Sequence, residues 1–262
     1  KLAAHSISDI AARMTPAQIS EASREAAAWL HLPASLADFW HAAHRGNSVA
    51  QSNLGIMYYK GHGVQQSYAE ALKWFRLSAR RGDAAAQSNL GIMYANGQGV
   101  PKNYTKAVKW IRLAAQQGYA IAQYNVGVMY YKSHGVPQSY TESFKWFRLA
   151  AQQGYAPAQY NVGWTYLKGL GVSQSYAEAT KWLRLAASQG YAKAQYNLGV
   201  AYANGQGVPQ DYTEAFKWTE LANTRGFKEA KQIIPILAGK MTPAQITEAQ
   251  QEAAAWMAAH PN

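Results

Sequence analysis

The sequence predicts an all-α protein: a right-handed α/α superhelix, or solenoid, of stacked helix-loop-helix repeats. Two observations predict it. Marker residues recur at one fixed step along the 262-residue chain, and the apolar residues between them follow helical spacing. Glycine stands at Gly55, Gly91, Gly127, Gly163 and Gly199, and tryptophan at Trp74, Trp110, Trp146, Trp182 and Trp218. Tyrosine stands at Tyr58, Tyr94, Tyr130, Tyr166 and Tyr202, and each unit closes on Gly82, Gly118, Gly154, Gly190 or Gly226. Every step is 36 residues.

The first helix of the first unit reads as roughly Ser48 to Lys60. Ala50, Leu54, Gly55 and Tyr58 form one apolar stripe. A glycine inside a helix costs about 1 kcal/mol relative to alanine. Its presence in every unit therefore points to a helix-helix approach too close for a side chain. The Gly61-His62-Gly63-Val64 loop ends that helix, because glycine reaches positive φ freely. Prolines after the loop valine (Pro101, Pro137, Pro209) fit a segment that cannot continue a helix. The second helix reads as about Tyr68 to Arg81, with Ala71, Trp74, Phe75 and Ala79 inward and Glu70 and Lys73 paired outside. One helix pair cannot bury its apolar face alone, so stability must come from stacked neighbours.

Together these residues resemble the Sel1-like repeat family, relatives of the tetratricopeptide repeats. The family's Ala-x-x-x-Leu-Gly-x-x-Tyr helix stands at Ala194 to Tyr202, its Gly-x-Gly-Val loop at Gly205 to Val208, and its Lys-Trp-x-x-x-Ala-Ala-x-x-Gly helix at Lys181 to Gly190. Two departures stand out: Ser133 replaces the first loop glycine of the third unit, and Glu220 replaces the arginine seen at Arg76, Arg112, Arg148 and Arg184. The resemblance implies an adaptor that holds proteins together in signalling, envelope assembly or bacterial contact with a host. Some relatives are linked to β-lactam chemistry.

The repeats divide the chain into residues 1–32, read as N-terminal capping helices or the tail of an upstream array; 33–226, a solenoid with a partial repeat at 33–49 and five full repeats from about 50; and 227–262, C-terminal capping helices. The two ends share Met-Thr-Pro-Ala-Gln-Ile, at Met14 to Ile19 and Met241 to Ile246, followed by Glu-Ala-Ala-Ala-Trp, at Glu25 to Trp29 and Glu252 to Trp256. Each copy carries a helix-start signature, with Thr at the N-cap, Pro next and Gln at the third position. A copy ahead of the array also raises head-to-tail self-association.

Composition narrows the function. The net charge of +11 favours an acidic partner, and the absence of cysteine excludes thiol catalysis and thiolate metal sites. No apolar run is long enough to span a membrane. The compartment stays open, with periplasm or secretion the favoured reading. No Ser-x-x-Lys, Lys-Thr-Gly, Gly-x-Ser-x-Gly, P-loop or His-Glu-x-x-His occurs, so the chain is read as a non-enzyme without catalytic, cofactor or metal residues. His41 and His44 could share a metal, but a zinc site needs further ligands. The Lys-Arg stripe of the second helices could track phosphates, yet glutamates answer most of its lysines and no nucleic-acid motif accompanies it.

By analogy with other helical repeats, the first helices should line a concave binding face. Tyr124, Tyr160 and Tyr196 then face it, with Trp164 one turn on and Tyr59 and Tyr131 beyond. Aromatic residues are favoured at interface hot spots. Lys60, Lys132 and Lys168 would supply charge for an acidic segment or a C-terminal carboxylate. Asn125, Asn161 and Asn197 belong to a ladder that could grip a peptide backbone or bond within the scaffold. The expected partner is a protein or peptide. A glycan or envelope polymer is the alternative, since the same rings stack on sugars, and a β-lactam-active enzyme is the disfavoured third reading.

Overall fold

A computed structural model describes residues 40–260. The N-terminal copy of the duplicated end motif, at 14–29, and the division at residues 1–32 lie outside the described residues. Helical residues 40–44 precede twelve helices: α1 (Ser48–Lys60), α2 (Tyr68–Arg80), α3 (Ala84–Asn96), α4 (Tyr104–Gln116), α5 (Ala120–Lys132), α6 (Tyr140–Gln152), α7 (Ala156–Lys168), α8 (Tyr176–Ser188), α9 (Ala192–Asn204), α10 (Tyr212–Thr224), α11 (Ala230–Ala238) and α12 (Pro243–Ala259). No strand occurs among the described residues. The chain forms two compact units, one ending at Gln117 and one beginning at Gly118. In each, a first helix packs on the second helix of its own repeat, and that helix packs on the next first helix of the unit.

The recurrent helical glycine is where paired helices touch. A Cβ on Gly127 would stand 2.6 Å from the Phe147 ring, and one on Gly163 would stand 2.9 Å from Leu183 and 3.1 Å from the Ala179 carbonyl oxygen. The backbone therefore approaches the second helix directly, as the repeated glycine predicts. Ala71, Phe75, Ala107, Ile111, Ala150, Phe147, Ala179, Leu183, Ala215 and Thr219 complete the buried seam.

Consecutive repeats are locked by glutamine. Gln51, Gln87, Gln159 and Gln195 each send their side-chain N–H to a backbone carbonyl of the preceding second helix or its equivalent: Ala43, Ala79, Ala151 and Ala187, at 2.9–3.2 Å. Their own carbonyls are met from behind where another glutamine is available. Gln117 donates to Gln87, Gln153 to Gln123 and Gln189 to Gln159, at 2.7–2.8 Å. In the first and last repeats arginine takes that place. Arg81 turns to the Gly46 carbonyl and Arg225 to the His260 carbonyl, and the buried Gln51 and Gln195 Oε1 atoms are left without a hydrogen bond.

A second glutamine ties down the long loop of every repeat but the second, which holds Lys102 there. Gln66, Gln138, Gln174 and Gln210 donate to the carbonyl of the first-helix residue seven positions back. Ser, Asn or Asp caps every second helix of the repeats. The Ser133 departure costs backbone strain: it holds φ 59° where the other units place glycine, and its hydroxyl donates to the Val136 carbonyl at 3.2 Å.

At the end of unit 2, α12 opens with a Thr242/Gln245 capping box and lies along α10. Ala249 and Ala253 are buried there. Lys217 binds both Glu214 and Glu252, and Trp256 lies 6.4 Å from Trp218 and 5.2 Å beneath Arg225. Burial pushes the Lys217 pKa down, but the two carboxylates more than offset it and the net shift is upward.

Replacing Gly127 with alanine should gain about 1 kcal/mol of helix propensity and lose about 1–3 kcal/mol to overpacking against Phe147. A lower thermal midpoint by circular dichroism is expected. Ser133→Gly, which relieves a left-handed serine worth roughly 1 kcal/mol, should raise the same midpoint.

Candidate functional site

Unit 2 gathers most of the aromatic residues expected to face a partner. Tyr124 on α5, Tyr160 on α7 and Tyr196 on α9 are half-buried. Each meets the aromatic residue that follows the closing glycine of its repeat. Tyr124 packs against Tyr155 at 5.3 Å and Phe147 at 5.6 Å, Tyr160 against Tyr191 at 5.3 Å, and Tyr196 against Phe227 at 5.0 Å. Such pairs are each worth about 0.5–1.5 kcal/mol beyond burial.

Two of these partners, Tyr155 and Tyr191, stand where a helix cap would. In unit 1 the residue after the closing glycine caps the next helix, with Asn47 accepting from the Ala50 N–H and Asp83 from the Ala86 N–H. In unit 2 the same place holds Tyr119, Tyr155 and Tyr191, and α5, α7 and α9 have no side-chain cap. Losing a cap costs about 1 kcal/mol. The residue after the buried glutamine switches in step, from buried Ser52 and Ser88 to Tyr124, Tyr160 and Tyr196. Unit 2 thus exchanges generic helix-end stability for a row of paired rings.

The phenols form one electrostatic group. Burial raises the pKa of Tyr155, Tyr160 and Tyr191 above the ordinary tyrosine value. Mutual repulsion adds to it: Tyr124 and Tyr119 act on Tyr155; Tyr124, Tyr160 and Tyr155 on Tyr191; and Tyr131 on Tyr160. The Asn197 amide near its hydroxyl opposes the shift at Tyr160. At neutral pH this face therefore presents neutral O–H donors.

The remaining expected residues take varied places. Trp164 is half-buried, with the Lys168 ammonium 4.8 Å from its ring. Asn125 and Asn161 are half-buried beside Tyr124 and Tyr160 in the sequence. Lys132 and Lys168 are exposed in the last turns of α5 and α7, and Lys60 likewise in α1, where a cation also favours the helix terminus. Tyr131 packs on Tyr140 at 5.4 Å. Tyr59 belongs to unit 1, where its ring meets Tyr68 and its hydroxyl donates to Gln98 at 3.1 Å.

Tyr155, Tyr191 and Phe227 are members that the sequence reading passed over. Their signal is the change from Asn47 and Asp83 to tyrosine and phenylalanine in a single repeat column. Two other features belong to the scaffold. Arg76 and Arg184 donate to the hydroxyls of Tyr94 and Tyr202 at 3.0 and 2.6 Å, so these members of the outer basic stripe are tied to the next helix. His44 packs at a tilt against Trp40, ring centroids 3.6 Å apart, and its Nδ1–H donates to the Trp40 carbonyl; burial lowers its pKa.

The comparisons agree with this architecture. The family model described as Sel1 repeat matches residues 48–83, 84–119, 120–155, 156–191 and 192–227. A search of curated proteins gave no match. A solved Sel1 repeat protein from Oxalobacter formigenes is similar with 29% identity and TM-score 0.69, over 86% of this chain and 91% of that one. A protective antigen present in uropathogenic Escherichia coli strains, displaying an SLR fold, is similar with 30% identity and TM-score 0.57. That alignment covers 84% of this chain and 55% of the antigen.

Raised phenol pKa values carry a sign. The neutral forms are favoured in the folded state, so the contribution is fully present below the unfolded value near 10 and is lost as pH rises through the folded values. Absorbance at 295 nm should show a tyrosine class ionising later than exposed phenols. Stability should stay level to about pH 10 and fall beyond it, and Tyr155→Phe/Tyr191→Phe should soften that fall.

Proposed function

This chain belongs to the Sel1 repeat family, and from that membership and the geometry of unit 2 we propose that it is a non-catalytic adaptor that holds a protein partner through an extended peptide segment. The repeats are a helical scaffold of the kind that mediates protein interactions. The observation that carries the finer reading is the exchange of helix caps for paired tyrosines at Tyr155 and Tyr191, which open α7 and α9. A scaffold needing only to stack would keep the caps, as unit 1 does.

The pairs suit a peptide. Tyrosine supplies contact area with few rotatable bonds, so little entropy is lost on binding. Neutral hydroxyls donate to backbone carbonyls, and the amides of Asn125, Asn161 and Asn197 offer both donors and acceptors at one position per repeat. Lys132 and Lys168 stand at the ends of α5 and α7, where they favour an acidic segment. Tyr124, Tyr160, Trp164 and Tyr196 are the anchors in this reading, with Tyr131 at the margin and Tyr59 a contributor from unit 1.

The test is selection of peptides from a displayed random library on the intact protein, beside a Tyr160→Ala/Trp164→Ala variant of equal helicity, with a glycan array as the second arm. Enriched peptides should bind the native protein in the micromolar range and lose ten-fold or more in the variant, as expected for hot-spot residues. Peptides indifferent to the two substitutions, or binding confined to glycans, would refute the peptide reading.

A further inference from the structure

We propose that the outer faces of α6 and α8 are docking sites for an alanine-rich amphipathic helix of a partner protein, carrying glutamate and an aromatic residue in the order Ala-x-x-Glu-Ala-x-x-Trp. The argument begins with one repeat column. Leu77, Leu113, Leu149 and Leu185 occupy the same position of their second helices and are 38%, 45%, 45% and 48% exposed. Leu221, in the same column on α10, is 0% exposed. Four large apolar side chains in register on a helix surface are unlike the scattered exposure common on soluble proteins.

What distinguishes Leu221 is the end of unit 2, where α11 and α12 pack on α10. Leu221 shares one buried cluster with Trp218, Ala249 and Ala253. The interface is defined residue by residue. Small Ala249 and Ala253 let α12 lie close, Glu252 reaches Lys217 at 2.8 Å, and Trp256 meets Trp218. The receiving stripe is therefore Lys217, Trp218 and Leu221.

On the neighbouring second helices of unit 2 the same stripe leaves Lys145 and Leu149 exposed on α6 and Lys181 and Leu185 exposed on α8, with Trp146 and Trp182 half-buried between them. Their lysines each hold the glutamate one turn back, Glu142 or Glu178, just as Lys217 holds Glu214. What they lack is the second carboxylate. The side chains of Lys145 and Lys181 remain 63% and 69% exposed, against 15% for Lys217. Charge and shape thus call for the chemistry that α12 supplies to α10: alanines over the leucine, a glutamate for the lysine and an aromatic ring at the tryptophan. This face is separate from the tyrosine row, so the inference stands independently of the peptide reading.

A labelled peptide of residues 241–260, which has the required order, serves as the probe for the full chain. Fluorescence anisotropy should show binding with Kd on the order of 10–100 μM, the range of a small single-helix contact. Leu149→Glu/Leu185→Glu should weaken it at least ten-fold at unchanged helicity. A probe carrying Glu252→Lys should bind poorly to the native chain and regain affinity for Lys145→Glu/Lys181→Glu. No binding at 1 mM probe on the order of any helix contact, indifference to the leucine substitutions, or loss only when Trp218 is replaced would overturn the proposal; the last result means exchange with the chain's own α12.

Discussion

Each repeat turns on a contact between the bare backbone of a helical glycine and the helix that faces it. At Gly127 the helix passes so near Phe147 that a methyl group would overlap the ring, and at Gly163 it rests on Leu183 and the Ala179 carbonyl. That approach fixes the spacing of the pair. It brings alanines such as Ala71, Ala107 and Ala179 into full burial and leaves the glutamine of the first helix level with the end of the preceding second helix. The glutamine bonds follow from it, because a side chain of fixed length reaches a carbonyl only if the helices stand at one distance. Their worth lies less in the bonds formed, about 1 kcal/mol net each, than in the cost of leaving a buried amide unpaired in any other register.

The tyrosine row rests on this frame and takes its position from it. With helix spacing fixed by glycine and glutamine, a ring on α5 or α7 meets the ring that follows the closing glycine of its repeat, and the two hold one another in place. Rings already ordered lose less entropy on binding. The cap losses at α5, α7 and α9 are local and small beside the interactions between repeats. Unit 2 can therefore carry them, while unit 1 retains Asn47 and Asp83 as ordinary caps.

Most of the fold was legible because the repeat makes five independent measurements of the same helix pair. Gly55 alone would read as a weak point in a helix; recurring in every unit, it reads as a contact. The glutamines were less legible. A glutamine in a polar, loop-rich sequence looks like surface, and its burial depends on a carbonyl eight residues away across a turn or on another glutamine thirty residues on. The same holds for the site. Tyr124, Tyr160 and Trp164 stand out as variable positions in a column that is otherwise steady, but Tyr155 and Tyr191 pair across repeats and were hidden behind a position that usually caps a helix. Helical periodicity reports which face a residue occupies; it does not report which ring thirty-one residues later closes on it.

The arginines at 81 and 225 give the array a grammar of length. Between them, in the three interior repeats, the closing glutamine donates to the buried glutamine of its own first helix. At the two margins arginine turns away from the column and binds a backbone carbonyl outside it. A chain written this way can gain or lose an interior 36-residue word by gene duplication or deletion without disturbing either margin. The number of repeats is thus open to evolution in whole steps, while the sentences that open and close the array stay fixed.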